Sequence, residues 1–430
     1  MQTKRCISII GLGYVGLALA YCFYKKSIGK IICYDLDAMR IQELKKGFDR
    51  NAIFKKNELL DDQIFFTDNA ADLKRADFHI ISVPTPITSA QTPDLSFLEK
   101  ATKILAENLK PNDIVIYEST VYPGVTEDIC IPLLEEHSGL TSNRDFFVGY
   151  SPERINVGDE KHSMINTVKI ISAQNNPTLE VMKKIYGAIV VAGLYTASSI
   201  KVAEAAKLLE NTQRDLNISL MNEFSMTLHK IGVNPRDVRK AAATKWNFVD
   251  VEPGLVGGHC IGVDPYYFTF LAQQAQLDEH LVRNARQINN GMFQFVVSEL
   301  LKKLIVLDIK IKNARVAIMG FSFKENSTDI RNTHAYFLEK ELKSYGINVC
   351  VYDPLVDKIL VKKMYDVDIV DEMDIHHMNA LIFTVKHKEF CQYTPKSLAQ
   401  RLLSPGVVMD LRNIWEEEDF RNETIAYWYL

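Results

Sequence analysis

At 430 residues, 47% hydrophobic and 24% charged, with a formal charge of −4, the sequence reads as an ordinary soluble chain of roughly two or three domains. The charge is spread along the chain without a basic patch, so neither nucleic acid nor an anionic membrane is an expected partner. No run of about 18 apolar residues is available to span a bilayer, and the Lys4-Arg5 start fails as a secretory signal because three glycines break the apolar run behind it.

The first predicted element is an apolar strand, Cys6–Ile10, running straight into Gly11-Leu12-Gly13-Tyr14-Val15-Gly16. A helix follows, and a second strand, Ile31–Tyr34, ends on Asp35. In such a Gly-x-Gly-x-x-Gly turn the first glycine permits the tight bend and the second lets a pyrophosphate approach the backbone. The third allows helix and strand to pack closely. The helix N-terminus offers N–H groups and the positive end of its dipole to phosphates. A carboxylate after the second strand accepts from a ribose 2′-OH and repels a 2′-phosphate. The combination predicts a Rossmann domain that binds NAD rather than NADP.

Further short apolar runs at Phe78–Val83, Ile114–Tyr117 and Phe146–Gly149 predict parallel strands buried on both faces. They end in the loops Ser82-Val83-Pro84-Thr85-Pro86, Glu118-Ser119-Thr120 and Tyr150-Ser151-Pro152-Glu153-Arg154. Such loops belong in the ligand crevice at the carboxyl edge of an open α/β sheet. From Ser198 to Gly232 an Ala- and Leu-rich stretch without proline predicts one long helix, able to bridge two domains or to pack on a second copy of itself. Pro235 opens a shorter helix, a glycine-rich loop covers Pro253–Tyr267, and another helix spans His280–Leu304.

The final third repeats the opening plan, with Arg315–Gly320, Asn348–Asp353 and Ala380–Thr384 echoing the first strands. Phe321-Ser322-Phe323-Lys324 replaces the glycine fingerprint. This half is read as a second Rossmann-like domain for another phosphate-bearing ligand, with Lys324 as the phosphate cation or, alternatively, a solvated lysine after a turn. The expected fold class is α/β: two Rossmann-like doubly wound domains, 1–197 and 306–430, joined by a long-helix central domain, 198–305.

Seven cysteines form no CxxC pair and no metal-ligand spacing, which points to a reducing cytoplasm and to no metal. Cys6, Cys33 and Cys350 sit in apolar strands and read as small core hydrophobes. Cys260 differs, lying in Gly257-Gly258-His259-Cys260-Ile261-Gly262-Val263-Asp264. Two glycines there allow a ligand close to the backbone, and an acid follows four residues on. A thiol in that place could attack an aldehyde while the carboxylate positions water, given a lysine to lower its pKa. A buried loop cysteine without a role is the alternative. His259 is read as a hydrogen-bonded packing histidine rather than a group that tunes the thiol. Lys207 and Asn211 lie four apart on one face of the long helix. A partly buried Lys207 would stabilise an alkoxide or oxyanion; with Glu204 and Glu210 beside it, surface ion pairing is the plainer alternative.

Taken in order, Gly11 to Gly16, Glu118-Ser119-Thr120, Ser151-Pro152-Glu153-Arg154-Ile155-Asn156, Glu204-Ala205-Ala206-Lys207 with Asn211, Gly257-Gly258-His259-Cys260, and Phe323-Lys324-Glu325-Asn326 with Asp329 and Arg331 resemble the nucleotide-sugar 6-dehydrogenases. That family includes UDP-glucose dehydrogenase, and the likeness covers essentially the whole chain. Thr244-Lys245-Trp246-Asn247-Phe248 and the run from Gly258 to Tyr267 look closest to the branch acting on UDP-N-acetylglucosamine or UDP-N-acetylgalactosamine in capsule and O-antigen synthesis.

The resemblance implies oxidation of a primary alcohol to a carboxylate with two NAD in succession, through a thioester on Cys260. It implies that Lys207 steadies the oxygen charge, Asn211 hydrogen-bonds the same oxygen, Asp264 and Glu153 handle water and protons, and Thr120 holds a water. NAD contacts are implied at Gly11, Gly13, Tyr14, Val15, Gly16, Asp35, Arg40, Val83, Pro84, Thr85, Ser119, Thr120 and Arg331. Contacts to a UDP-sugar are implied at Glu153, Arg154, Ile155, Asn156, Lys207, Asn211, Gly254, Gly257 and Lys324, and a homodimer is expected. Two rivals remain: a one-step hydroxyacid dehydrogenase, which needs no nucleophilic cysteine, and a silent NAD-binding scaffold, which needs none of Lys207, Cys260 and Asp264.

Overall fold

The computed structural model describes residues 5–51, 53–154, 163–421 and 424–430. Internal packing divides the chain into two units, Met1–Glu210 with Tyr266–Gln276, and Asn211–Pro265 with Leu277–Leu430.

The first unit is built on eight strands: β1 (Ile7–Ile10), β2 (Ile31–Tyr34), β3 (Ile64–Thr67), β4 (Phe78–Ile81), β5 (Ile114–Tyr117), β6 (Phe147–Tyr150), β7 (Lys169–Ala173) and β8 (Leu194–Thr196). They lie in the order β3-β2-β1-β4-β5-β6-β7-β8. Every residue of β1, β2, β4 and β5 is buried, which is why these stretches read as unbroken apolar runs. The polar side chains among them satisfy one another: Ser8 Oγ lies 2.7 Å from His79 Nδ1, and His79 Nε2 lies 3.2 Å from Asp113. The chain reverses its direction of growth between β1 and β4, and a ligand crevice opens at such a switch point. Strands β3, β7 and β8 were not anticipated. Of these, β7 runs antiparallel to β6, so the sheet is mixed.

The second unit holds β9 (Arg315–Met319), β10 (Asn348–Tyr352), β11 (Met378–Phe383), β12 (Leu402–Asp410) and β13 (Ile425–Tyr429). All are parallel, in the order β10-β9-β11-β12-β13. The expected repeat of the opening plan holds with one strand fewer on the near side, which puts this switch point between β9 and β11. Of the cysteines read as core, Cys33 is buried while Cys6 and Cys350 are half-buried.

The long helix runs Ile200–Lys230, about 46 Å at 1.5 Å per residue. It stops before Gly232, whose φ of +71° suits a helix terminus. Asn234 then caps the helix Pro235–Ala242, accepting from the Arg236 N–H at 2.9 Å. Val202, Leu209, Leu220 and Phe224 are exposed along the long helix, and 3.6-residue periodicity puts them on a single face.

In the second unit a buried polar ladder ties the long helix to the helix His280–Val306: Arg286 pairs with Asp215 at 2.6 Å, and Asn222 donates to Asn289 at 2.8 Å. Asn222 also clasps Gly254 through both main-chain groups, at 2.8 and 3.1 Å, anchoring the glycine-rich loop. That loop is shorter than expected, because a helix, Asp264–Gln274, begins at Asp264. No described helix is long and apolar enough to cross a membrane.

Candidate active site

Two glycines shape the crevice at β1 and β4. Gly11 has a φ of +94°, and a Cβ there would come within 2.6 Å of the Ser82 carbonyl oxygen. A Cβ on Gly16 would stand 2.0 Å from the Gly11 carbonyl oxygen, so neither position takes a side chain. Gly13 is exposed, and a Cβ added to it would meet nothing within 4 Å. The helix Tyr14–Lys25 begins here with no side-chain cap on its first turn, as a phosphate site at a helix N-terminus requires. Asp35 accepts from the Leu12 N–H at 2.7 Å and the Asp37 N–H at 2.9 Å, holding the glycine turn while half-exposed itself. Open space over Gly13, an uncapped helix start and a carboxylate at the end of β2 together fit NAD.

Ser119 locks the loops after β4 and β5 together, donating to the Val83 carbonyl at 2.7 Å and accepting from the Val83 N–H at 3.0 Å. The Tyr267 hydroxyl lies 2.9 and 3.1 Å from the Thr85 and Pro86 carbonyl oxygens. Arg40, among the expected cofactor contacts, is buried with its guanidinium on Asp49 at 2.7 Å. Asp35→Ala removes the charge that repels a 2′-phosphate and also releases Leu12. It is expected to narrow the preference for NAD over NADP and to raise the Michaelis constant for NAD. Equal use of NADP by the unaltered protein would contradict this assignment.

The loops after β5 and β6 bring acids and lysines together in the first unit. Thr120 is half-buried directly after Ser119. The Glu153 carboxylate is 2.6 Å from Lys169 Nζ, and its other oxygen accepts from the Arg154 N–H at 2.8 Å. The Glu153 carbonyl accepts from Lys207 Nζ at 2.5 Å. Arg154 pairs with Glu210 at 2.6 Å. Pro152, Glu153, Arg154, Lys169, Lys207 and Glu210 line a cavity of about 370 Å³. Ile155 and Asn156, expected as substrate contacts, lie outside the described residues.

Lys207 is buried at 5% exposure, which removes the surface ion-pair reading for it. Glu204 is buried too, accepting from the Gly124 and Thr126 N–H groups at 2.7 and 3.0 Å. It is therefore an anchor between the long helix and the segment after Thr120, and burial pushes its carboxyl up. Only Glu210 behaves as a partly exposed ion-pair partner. Sequence reasoning passed over Lys169, whose signal was a lone lysine in the apolar run Val168–Ala173.

In the second unit Cys260 is half-buried, and its carbonyl accepts from the Val263 and Asp264 N–H groups at 3.0 and 2.8 Å. The thiol residue thus sits in the turn that starts the next helix. Asp264 is buried and accepts from the Asn211 amide at 2.5 Å, which brings two expected site residues together. A Cβ on Gly257 or Gly258 would come 2.7 Å from Asn332 or the Phe323 ring, so the loop packs directly on the segment after β9. His259 is exposed rather than packed away, edge-on to Phe323 and 3.8 Å from Asp329. Arg331 grips Asp329 through two nitrogens, its Nε at 2.9 Å. Burial would raise the Asp329 carboxyl, but the Arg331 guanidinium outweighs it and holds it below the usual range.

Lys324 is half-buried in the turn after Gly320, its carbonyl accepting from Ser322 Oγ at 2.8 Å. Asp353 at the end of β10 accepts from the Phe321 and Ser322 N–H groups at 2.7 and 3.0 Å, repeating the part Asp35 plays for Leu12. Unlike Asp35 it is buried, and its carboxylate also faces His387 Nε2 at 3.2 Å.

Three consecutive parts of the chain match the UDP-glucose/GDP-mannose dehydrogenase family: its NAD binding domain over residues 5–190, its central domain over 201–291 and its UDP binding domain over 317–417. The chain is 44% identical to Protein CapL of Staphylococcus aureus, covering 99% of this chain and 100% of that protein. It is 43% identical to the UDP-N-acetyl-D-glucosamine 6-dehydrogenase of Salmonella typhi, covering 96% and 98%. Among solved structures, a UDP-D-ManNAc dehydrogenase from Pyrococcus horikoshii superposes with a TM-score of 0.87 at 30% identity, covering 98% of both chains.

Proposed function

Because the chain belongs to the UDP-glucose/GDP-mannose dehydrogenase family, we propose that it oxidises the 6-hydroxyl of a UDP-N-acetylhexosamine, UDP-N-acetylglucosamine before UDP-N-acetylgalactosamine, to the carboxylate. It is an NAD-dependent nucleotide-sugar dehydrogenase. The observation that carries the choice of sugar is the full-length likeness to a UDP-N-acetyl-D-glucosamine 6-dehydrogenase, which exceeds that to a UDP-D-ManNAc enzyme. With a panel of UDP- and GDP-sugars, NADH formation should be fastest on UDP-N-acetylglucosamine or its galacto epimer. Faster oxidation of UDP-glucose or UDP-N-acetylmannosamine would overturn the choice.

NAD, when bound at the glycine turn and Asp35, supplies the hydride acceptor for both oxidations. The buried Lys207 ammonium stabilises negative charge on the sugar oxygen as its proton leaves, and Asn211 hydrogen-bonds the same oxygen. An ammonium has three N–H groups, and one goes to the Glu153 carbonyl. The Cys260 thiolate then adds to the aldehyde carbon, and loss of a second hydride from that adduct leaves a thioester. Asp264, held by Asn211, and Glu153, held by Lys169, place the water and take the protons of hydrolysis, which releases the acid and the thiol. Thr120 holds a water beside the reacting carbon. Lys324 takes the nucleotide diphosphate, and Arg331, fixed by Asp329, serves the NAD side.

The exposed apolar face of the long helix supports a homodimer in which two copies bury that stripe against each other. Light scattering at micromolar concentration should return twice the mass of one chain, and a monomer alone would reject it. Seven scattered cysteines without a CxxC pair support a cytoplasmic setting.

A further inference from the structure

Lys169 opens β7 and is buried with a side chain 3% exposed. Its ammonium reaches Glu153 at 2.6 Å and Glu118 at 3.2 Å, carboxylates from the loops after β6 and β5. Tyr186, from the helix Asn176–Gly187, donates to the second Glu118 oxygen at 2.5 Å. Among the described residues, Cys22 of the helix Tyr14–Lys25 and Lys207 of the long helix also face this cluster. One buried ammonium therefore serves two buried carboxylates.

Such a cluster is a poor way to stabilise a sheet, since well-packed apolar side chains of similar volume do as well or better. Its connections point to another use. Lys169 grips the side chain of Glu153, and the main chain of the same residue gives Lys207 its carbonyl. Burial, reinforced by the Glu153 charge and opposed by Lys169, raises the Glu118 carboxyl to about 7. The Lys169 ammonium lies closer to Glu153, at 2.6 Å, than to Glu118, at 3.2 Å.

We propose that Lys169 is a positioning residue for the reaction, fixing the Glu153 carboxylate directly and the Lys207 ammonium through the Glu153 peptide. The proposal rests on the dehydrogenase reading given above and adds to it the origin of the site's geometry. A displacement of about 1 Å in a reacting group costs on the order of 10²-fold in rate, so a modest relaxation of Glu153 has a measurable consequence.

Three variants test it, all assayed with whichever nucleotide sugar the unaltered enzyme oxidises, so that a wrong sugar shows there and a wrong role for Lys169 only in the variants. Lys169→Met should lower kcat by about 10²-fold while the Michaelis constants move little. Lys169→Arg, which keeps the charge, should recover most of that loss. Lys169→Met combined with Glu118→Gln removes one of the two carboxylates left without their cation and should return the thermal midpoint towards that of the unaltered protein without restoring kcat. If the double variant regains full kcat along with its stability, Lys169 is merely structural and the proposal falls. It falls equally if Lys169→Met turns over at the unaltered rate. Should Lys169→Met not fold, the arginine and double variants still decide the matter.

Discussion

Cys260→Ser is expected to lower turnover by about 10³-fold or more, as loss of a covalent nucleophile does, while NAD binding stays unchanged. The glycine turn proposed to hold NAD, Gly11 to Gly16, lies in the first unit, whereas Cys260 belongs to the second. A serine hydroxyl ionises far less readily than a thiol, so addition to the aldehyde slows. Any ester that does form hydrolyses much less readily than a thioester, so release of the acid slows as well. The Cys260 main chain, which accepts from Val263 and Asp264, is untouched by the exchange, and the turn should persist. The expected signature is slow or single-turnover NADH release with an ester-linked sugar on the protein, read by intact-mass spectrometry. A serine variant with the unaltered rate would remove the thiol from the mechanism.

Lys207→Met is expected to lower kcat by about 10²- to 10³-fold, the usual cost of removing one charge stabiliser from an oxyanion site. Methionine approximates the length of the lost side chain without its charge. Lys207 is buried and its ammonium rests on a carbonyl rather than on a carboxylate, so the exchange strands no counter-charge in the Glu153 contact. The thermal midpoint should therefore shift little while kcat collapses, with the Michaelis constant for NAD near its original value. Steady-state kinetics beside a melting curve separates the two effects. Parallel loss of fold and rate would make Lys207 a structural residue.

How far the sequence could be read depended on where each contact partner lies in the chain. The central strands were legible because burial on both faces leaves them almost wholly apolar, as in Ile7–Ile10 and Ile114–Tyr117. The long helix was legible because 31 residues pass without proline or glycine. Strand β7 was hidden by its own function: Lys169 puts a charge into a short apolar run, and only the fold brings it to carboxylates 51 and 16 residues away. Edge strand β8, with two of its three residues exposed, offers little pattern at all.

The ion-pair alternative for Glu204 fails for a related reason. Neighbouring charges in the sequence suggested ion pairs, whereas its partners are the N–H groups of Gly124 and Thr126, about 80 residues earlier, which no local pattern displays. The glycine loop was placed correctly but drawn too long, because Asp264 looks like a loop residue until its N–H is seen closing the turn on Cys260. Spacing alone leaves the role of Cys260 open between nucleophile and bystander; it is the resemblance carried by the full set of motifs that implies the nucleophile.

The most direct measurement is the count of NADH formed for each sugar nucleotide consumed, followed to completion with excess NAD and UDP-N-acetylglucosamine. A nucleophilic Cys260 that carries the aldehyde through a second oxidation predicts two NADH and one uronic acid for every sugar. One NADH per sugar, with the aldehyde as product, would contradict it.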